Sequence, residues 1–171
     1  MRPLQNKSLY YGINLNNFRE IKSPYGLNNK ILKYAISPKD GRIIMAIRNG
    51  RGSLHVWDST NEVLTTLMFN SASQKPMGWL YNSGCCFDND ANDNEICLFA
   101  EYSQSPGTSG GFNIWRGTYP YTEESMWDVV MHVPYVGDDA SGITHFHQVR
   151  RDPWTGIIYA TSGDASVESK W

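Results

Sequence analysis

Several things are scarce in this sequence, and each scarcity removes a class of protein. No apolar stretch nears the ~18 residues of a membrane-spanning helix, and the first eleven residues hold no secretory apolar core. The compartment therefore stays open, because an export signal could lie elsewhere. Charged residues make up only 19% of the 171 residues and the formal charge is −2. That balance offers no basic face for a nucleic acid or an anionic membrane, so neither is expected as a partner. There are three cysteines, an odd number with no framework spacing. Cys85 and Cys86 are adjacent, and Cys97 lies in an apolar run where a buried thiol is expected. A Cys85–Cys97 bridge between neighbouring strands is the one alternative. Helical periodicity is also missing, since no window of a dozen residues keeps an i, i+3, i+4, i+7 apolar pattern.

What is present favours strands. Apolar residues make up 40% and aromatics 13%, enough for a packed core. Fifteen glycines and eight prolines accompany six Trp and ten Tyr, a mixture that suits strands joined by tight turns.

A repeat organises those strands. Three apolar runs each follow a polar turn: 43–47, 96–100 and 157–161. The turn Ser37-Pro38-Lys39-Asp40-Gly41-Arg42 matches Arg151 to Gly156, and residues 88–95 form a longer version. These turns recur 53 and then 62 residues apart. Each run is preceded by a strand candidate, at 32–36, 84–87 and 145–149. The first two are followed by an aromatic-bearing strand (54–57, 112–115) and a further one (64–68, 127–131). The opening segment fits the latter pair, with strands at 9–12 and 18–21. The fold class is therefore all-β: a β-propeller of about three blades forming a single segment over 1–171. It divides into a half blade (8–23), a blade (30–70), a blade (78–133) and a half blade (143–164). The second strand of each unit is apolar on both faces, as expected of a sheet packed between two neighbours. A single β-sandwich is the competing architecture. An open three-blade run leaves unpaired edges, so a second copy or further chain is expected to complete the ring.

The stretch from Thr144-His145-Phe146-His147 through Asp152-Pro153-Trp154-Thr155-Gly156 to Gly163-Asp164 resembles a blade start from sialidase-like, Asp-box propellers. Residues 114–130 are similar to the second half of such a blade. An Asp-box reads Ser-x-Asp-x-Gly-x-x-Trp; residues 118–127 keep the Trp without the Asp or Gly, while 12–18 and 58–64 are partial echoes. The resemblance implies a carbohydrate-directed propeller, either a glycoside hydrolase or a fragment of one. The alternative is a non-catalytic propeller that binds a glycan or protein, or builds a surface or virion assembly.

In such an architecture, ligands sit where the first strands enter and the second strands leave. Here those positions gather His145, His147, Arg48, Arg51, Glu101, Tyr102 and Asp164. The resemblance implies a Tyr nucleophile activated by Glu, an acid/base Asp and arginines on a substrate carboxylate. Glu101, Tyr102 and Asp164 are thus the catalytic candidates. Arg48 and Arg51, suited to bidentate anion pairing, join His145 and His147 as ligand-binding candidates. The two histidines, two residues apart on a strand, are expected to share a face. No metal centre is expected, since no third ligand stands at the right spacing. No cofactor is implied, although the Asp/Asn-rich loop 88–95 offers oxygen ligands of the kind calcium takes. His55 and His132 read as outer-strand surface residues.

Overall fold

The computed structural model describes residues 9–12, 18–21, 31–47, 53–68, 85–101, 111–134, 146–152 and 154–162. Twelve strands occupy most of them, with one 3-10 turn at Glu124–Met126 and, among the described residues, no α-helix. The strands are β1 (Leu9–Gly12), β2 (Phe18–Ile21), β3 (Ile31–Ile36), β4 (Ile43–Ile47), β5 (Ser53–Asp58) and β6 (Val63–Met68). They continue with β7 (Cys85–Asn89), β8 (Glu95–Ala100), β9 (Gly111–Thr118), β10 (Trp127–Pro134), β11 (Phe146–Arg151) and β12 (Ile158–Ser162). All pairings are antiparallel between consecutive strands. They give a pair β1–β2, a four-stranded sheet β3–β6, a second four-stranded sheet β7–β10, and a pair β11–β12.

Side-chain alternation explains how these sheets stack. On β4, Ile44 and Ala46 face the second full sheet, whereas Ile43 and Met45 join Trp57 and Leu64 on the opposite face. On β8, Cys97 and Phe99 meet the first full sheet, while Leu98 and Ala100 meet Phe146 and Val149 of β11. Every residue of β8 is buried. The second full sheet is therefore covered on both faces, which a two-layer sandwich does not provide. Strand β11 packs against β7 and β8, so the first strand of the last pair lies beside the first strand of the second full sheet.

Trp127 anchors the face between the two full sheets. It is fully buried, its Nε1 donates to the Tyr121 carbonyl oxygen (3.2 Å), and its ring packs 6.2 Å from Phe99 and 5.9 Å from Tyr121. Gly117, its cross-strand partner, makes room: a Cβ there would fall 2.7 Å from the indole. Between β5 and β6 the Asp58 carboxylate accepts from the backbone N–H groups of Thr60 (2.9 Å) and Asn61 (3.1 Å), which fixes that turn.

The three repeated hairpin turns share one device. The first side chain of each accepts the N–H two residues on: Ser37 Oγ from Lys39 (3.2 Å), Asp90 Oδ1 from Asn92 (2.8 Å) and Asp152 Oδ1 from Trp154 (3.0 Å). Closure follows from Ser37 N–H to Arg42 O, Asp90 N–H to Asn94 O and Asp152 N–H to Ile157 O. Gly41 (φ +75°) and Gly156 (φ +73°) take the same left-handed position in two of them. The geometry thus aligns Ser37 with Asp152 rather than with Arg151, one residue away from the match that the sequence windows suggest.

Gly117→Ala is expected to destabilise by about 1–3 kcal/mol, because the buried Trp127 ring has nowhere to retreat. Urea denaturation checks this; an unchanged midpoint would show that the indole can move after all.

Candidate functional site

The end of the stack where β8 finishes and β11 begins brings several polar side chains together. Glu101 follows β8 directly and is 1% exposed. Its carboxylate accepts three hydrogen bonds: from Trp115 Nε1 to Oε1 (2.6 Å), from Asn113 Nδ2 to Oε1 (3.1 Å) and from the Asn113 backbone N–H to Oε2 (3.0 Å). Asn113 and Trp115 stand two apart on β9, so alternation points both at this carboxylate. Asn113 Oδ1 lies 2.8 Å from Nδ1 of His132 on the outer strand β10. The backbone continues the junction: Glu101 N–H donates to Asn113 O (2.9 Å), and Phe146 N–H donates to Glu101 O (3.1 Å). A buried carboxylate is costly unless its acceptor sites are filled. The three donors here meet that requirement and hold Glu101 against its own sheet.

His147 sits on β11 at a break in register. Phe146 pairs with Ser162 and Gln148 with Thr161, so His147 is the extra residue of a β-bulge. Packing records the consequence. Phe146 and Val149, three apart, both join the cluster against the second full sheet, although a regular strand would place them on opposite faces. His147 itself is half-buried. The expectation that His145 and His147 share a face rested on unbroken alternation, and the bulge removes that ground. A similar shift in β3, between Ile31 and Lys33, marks the same place in the first full sheet.

His145, Tyr102, Asp164, Arg48 and Arg51 lie outside the described residues. Among the candidates, therefore, the geometry describes Glu101 and His147 and links their strands through the Phe146–Glu101 bond. Asn113 and Trp115, the partners of Glu101, and His132 behind Asn113 are not among the sequence candidates. The Asn113-x-Trp115 spacing was the available signal.

Other polar residues take structural places. Asp90 accepts from Asn92 and Asn94, Asp88 pairs with Arg151 (2.7 Å), and Asp93 accepts from Asn89 (2.7 Å), so the oxygens of the 88–95 loop serve the turn and the neighbouring pair. Among the described residues no three His, Cys, Asp or Glu side chains are arranged to hold a metal ion. At the opposite end of β8, Glu95 (4% exposed) accepts from Ser37 Oγ (2.6 Å), the Lys39 N–H (3.0 Å) and Tyr121 OH (2.8 Å). Burial, then the bond to Glu95, pushes the Tyr121 hydroxyl far above its ordinary pKa. The cysteines are free thiols, and burial raises the Cys97 pKa well above its usual value.

No family model, curated protein or solved structure matches the chain.

His55 corrects an expectation. The sequence places it on the surface of an outer strand, yet it is fully buried, with Nδ1 3.0 Å from Thr66 Oγ1. It pairs with Met45 and lies on the same face of the sheet as Met45 and Trp57. Burial pushes its pKa down to about 4 from 6.5. A histidine held neutral in the fold but protonated when unfolded contributes stability above pH 6.5, which is lost as pH falls towards 4. The loss is expected to reach on the order of 3 kcal/mol, and His55→Gln should flatten it. Denaturant midpoints from pH 7 to pH 4.5 test this; parallel profiles for the two proteins contradict it.

Proposed function

We propose that this chain is a segment of a sialidase-like β-propeller directed at carbohydrate, with its ligand face where β8 ends and β11 begins. The supporting observation is the junction at that end, where the Phe146–Glu101 bond ties the bulged His147 strand to a preorganised polar cluster on the neighbouring sheet. Bulges commonly re-aim a side chain beside a site, and the buried Glu101, held by Asn113 and Trp115, fixes the main chain to which the bulged strand is tied. The sheet stack supports the propeller part of the reading: successive four-stranded sheets packed face to face, each pairing its strands in chain order.

Within this reading His147 contacts ligand, while Glu101 is a brace. A general acid or nucleophile must reach the reacting atom, and at 1% exposure with three donors on its carboxylate Glu101 is committed elsewhere. That observation favours a second reading, in which the segment binds glycan without turning it over. Hydrolysis would fall to Tyr102 and Asp164, with Arg48, Arg51 and His145 on the substrate.

A panel of fluorogenic glycosides, paired with glycan-binding measurements, separates the two. His147→Ala is expected to weaken glycan binding by about tenfold with little change in stability. Glu101→Gln should instead lower stability by about 1–3 kcal/mol, since its amide turns a donor towards existing donors. Turnover that survives Glu101→Gln in the folded protein would exclude that carboxylate as the acid/base group. No glycan bound and no glycoside cleaved would overturn the carbohydrate reading altogether.

A further inference from the structure

The pair β11–β12 repeats the start of the first full sheet residue for residue. Ala35 pairs with Ile44 and Arg150 with Tyr159; the turns close from Ser37 to Arg42 and from Asp152 to Ile157. Tyr159 therefore stands where Ile44 stands, Ile157 where Arg42 stands, and Trp154 where Lys39 stands. In the first full sheet these three positions grip the next sheet. Ile44 is fully buried in the shared core, Arg42 Nη1 donates to Pro120 O (3.1 Å), and Lys39 Nζ lies 4.1 Å from the centre of the Tyr119 ring. In the pair they are bare: Trp154 is 90% exposed, Ile157 53% and Tyr159 46%. A tryptophan fixed on a closed turn beside two further apolar groups forms a packing face of known type, and the sheet it fits is another sheet of this stack.

We propose that this face docks a second copy of the chain, head to tail. The second copy's β1–β2 would continue the sheet from the outer edge of β12, and its β3–β6 sheet would cover Trp154, Ile157 and Tyr159. The strand types match. In both full sheets the second strand (β4, β8) is followed outward by two more, whereas β12 has no third strand among the described residues. The pair β1–β2 precedes β3 as β5–β6 precedes β7 and β9–β10 precedes β11. Among the described residues each copy carries two full sheets and two half sheets, the equivalent of three blades. Two copies then close a ring of six, within the range of about 4–8 blades that such rings adopt. The contact is heterologous, and closure after two steps prevents a filament. This inference rests on the propeller reading above.

The test is mass by light scattering, with backbone hydrogen exchange measured across a concentration series. The wild-type chain is expected at twice its 19.4 kDa mass at about 10 μM. Trp154→Asp with Tyr159→Lys should weaken association by at least about tenfold. Both side chains are exposed, so the far-ultraviolet spectrum of the variant should match wild type. Amides of β1 and β12 should gain protection as concentration rises. A monomer at high concentration overturns the proposal, and so does a dimer indifferent to the two substitutions; neither touches the sheet stack itself. A dimer that responds to the substitutions without protection in β1 and β12 overturns it differently, because the failure then lies with the propeller geometry.

Discussion

The rest of the structure depends on one strand being buried on both faces. β8 gives Cys97 and Phe99 to one neighbour and Leu98 and Ala100 to the other. With no face turned to water, it can tolerate polar groups only at its ends. A buried glutamate stands at each: Glu95 begins the strand and Glu101 follows it, about 20 Å apart at the usual rise per residue. Each carboxylate takes three donors, and in both cases an aromatic side chain supplies one of them, Tyr121 or Trp115. Desolvating a carboxylate is unfavourable, so these donors are a condition of the burial rather than an addition to it.

The two ends are used differently. Glu95 reaches out of its own sheet to Ser37 and Lys39 of the preceding one, so it fixes how the two full sheets register. Around it, Arg42 pairs with Asp40 and Asp58, and Tyr119 donates to Asp40, which closes that edge with charge-assisted bonds. Glu101 instead holds residues of its own sheet, and its carbonyl oxygen accepts from the Phe146 N–H of β11. Among the described residues, the side-chain bonds between the two full sheets gather at the hairpin-turn end. At the opposite end, the Glu101–Phe146 main-chain bond and the bond from the Arg150 guanidinium to the Cys85 carbonyl oxygen join the second full sheet to the bulged β11.

Strand positions were legible in the sequence, and the reason is local. Period-two patterning and turn residues such as Gly41, Gly156 and Asp90 are written into consecutive positions. The twelve strands lie within a few residues of the segments those signals mark. The site was less legible because its features depend on neighbours distant in sequence. Nothing near His147 announces a bulge; it shows only in Phe146 and Val149 facing the same layer. The donors on Glu101 come from a strand more than ten residues on. His55 looked exposed because polar residues on an outer strand usually are, yet that position is interior and its ring is within reach of Thr66 across the pair.

Cys97 gives the layered arrangement a use of its own. Its sulfur lies in the core between the two full sheets, fully enclosed, and its proton is held more tightly than in water. A thiol reagent reaches it only when those sheets part, and the partly exposed Cys85 on the adjoining strand supplies an internal reference. The ratio of their alkylation rates would report how often the layers separate, with no added label. The chain thus carries a native clock for the opening of its own stack.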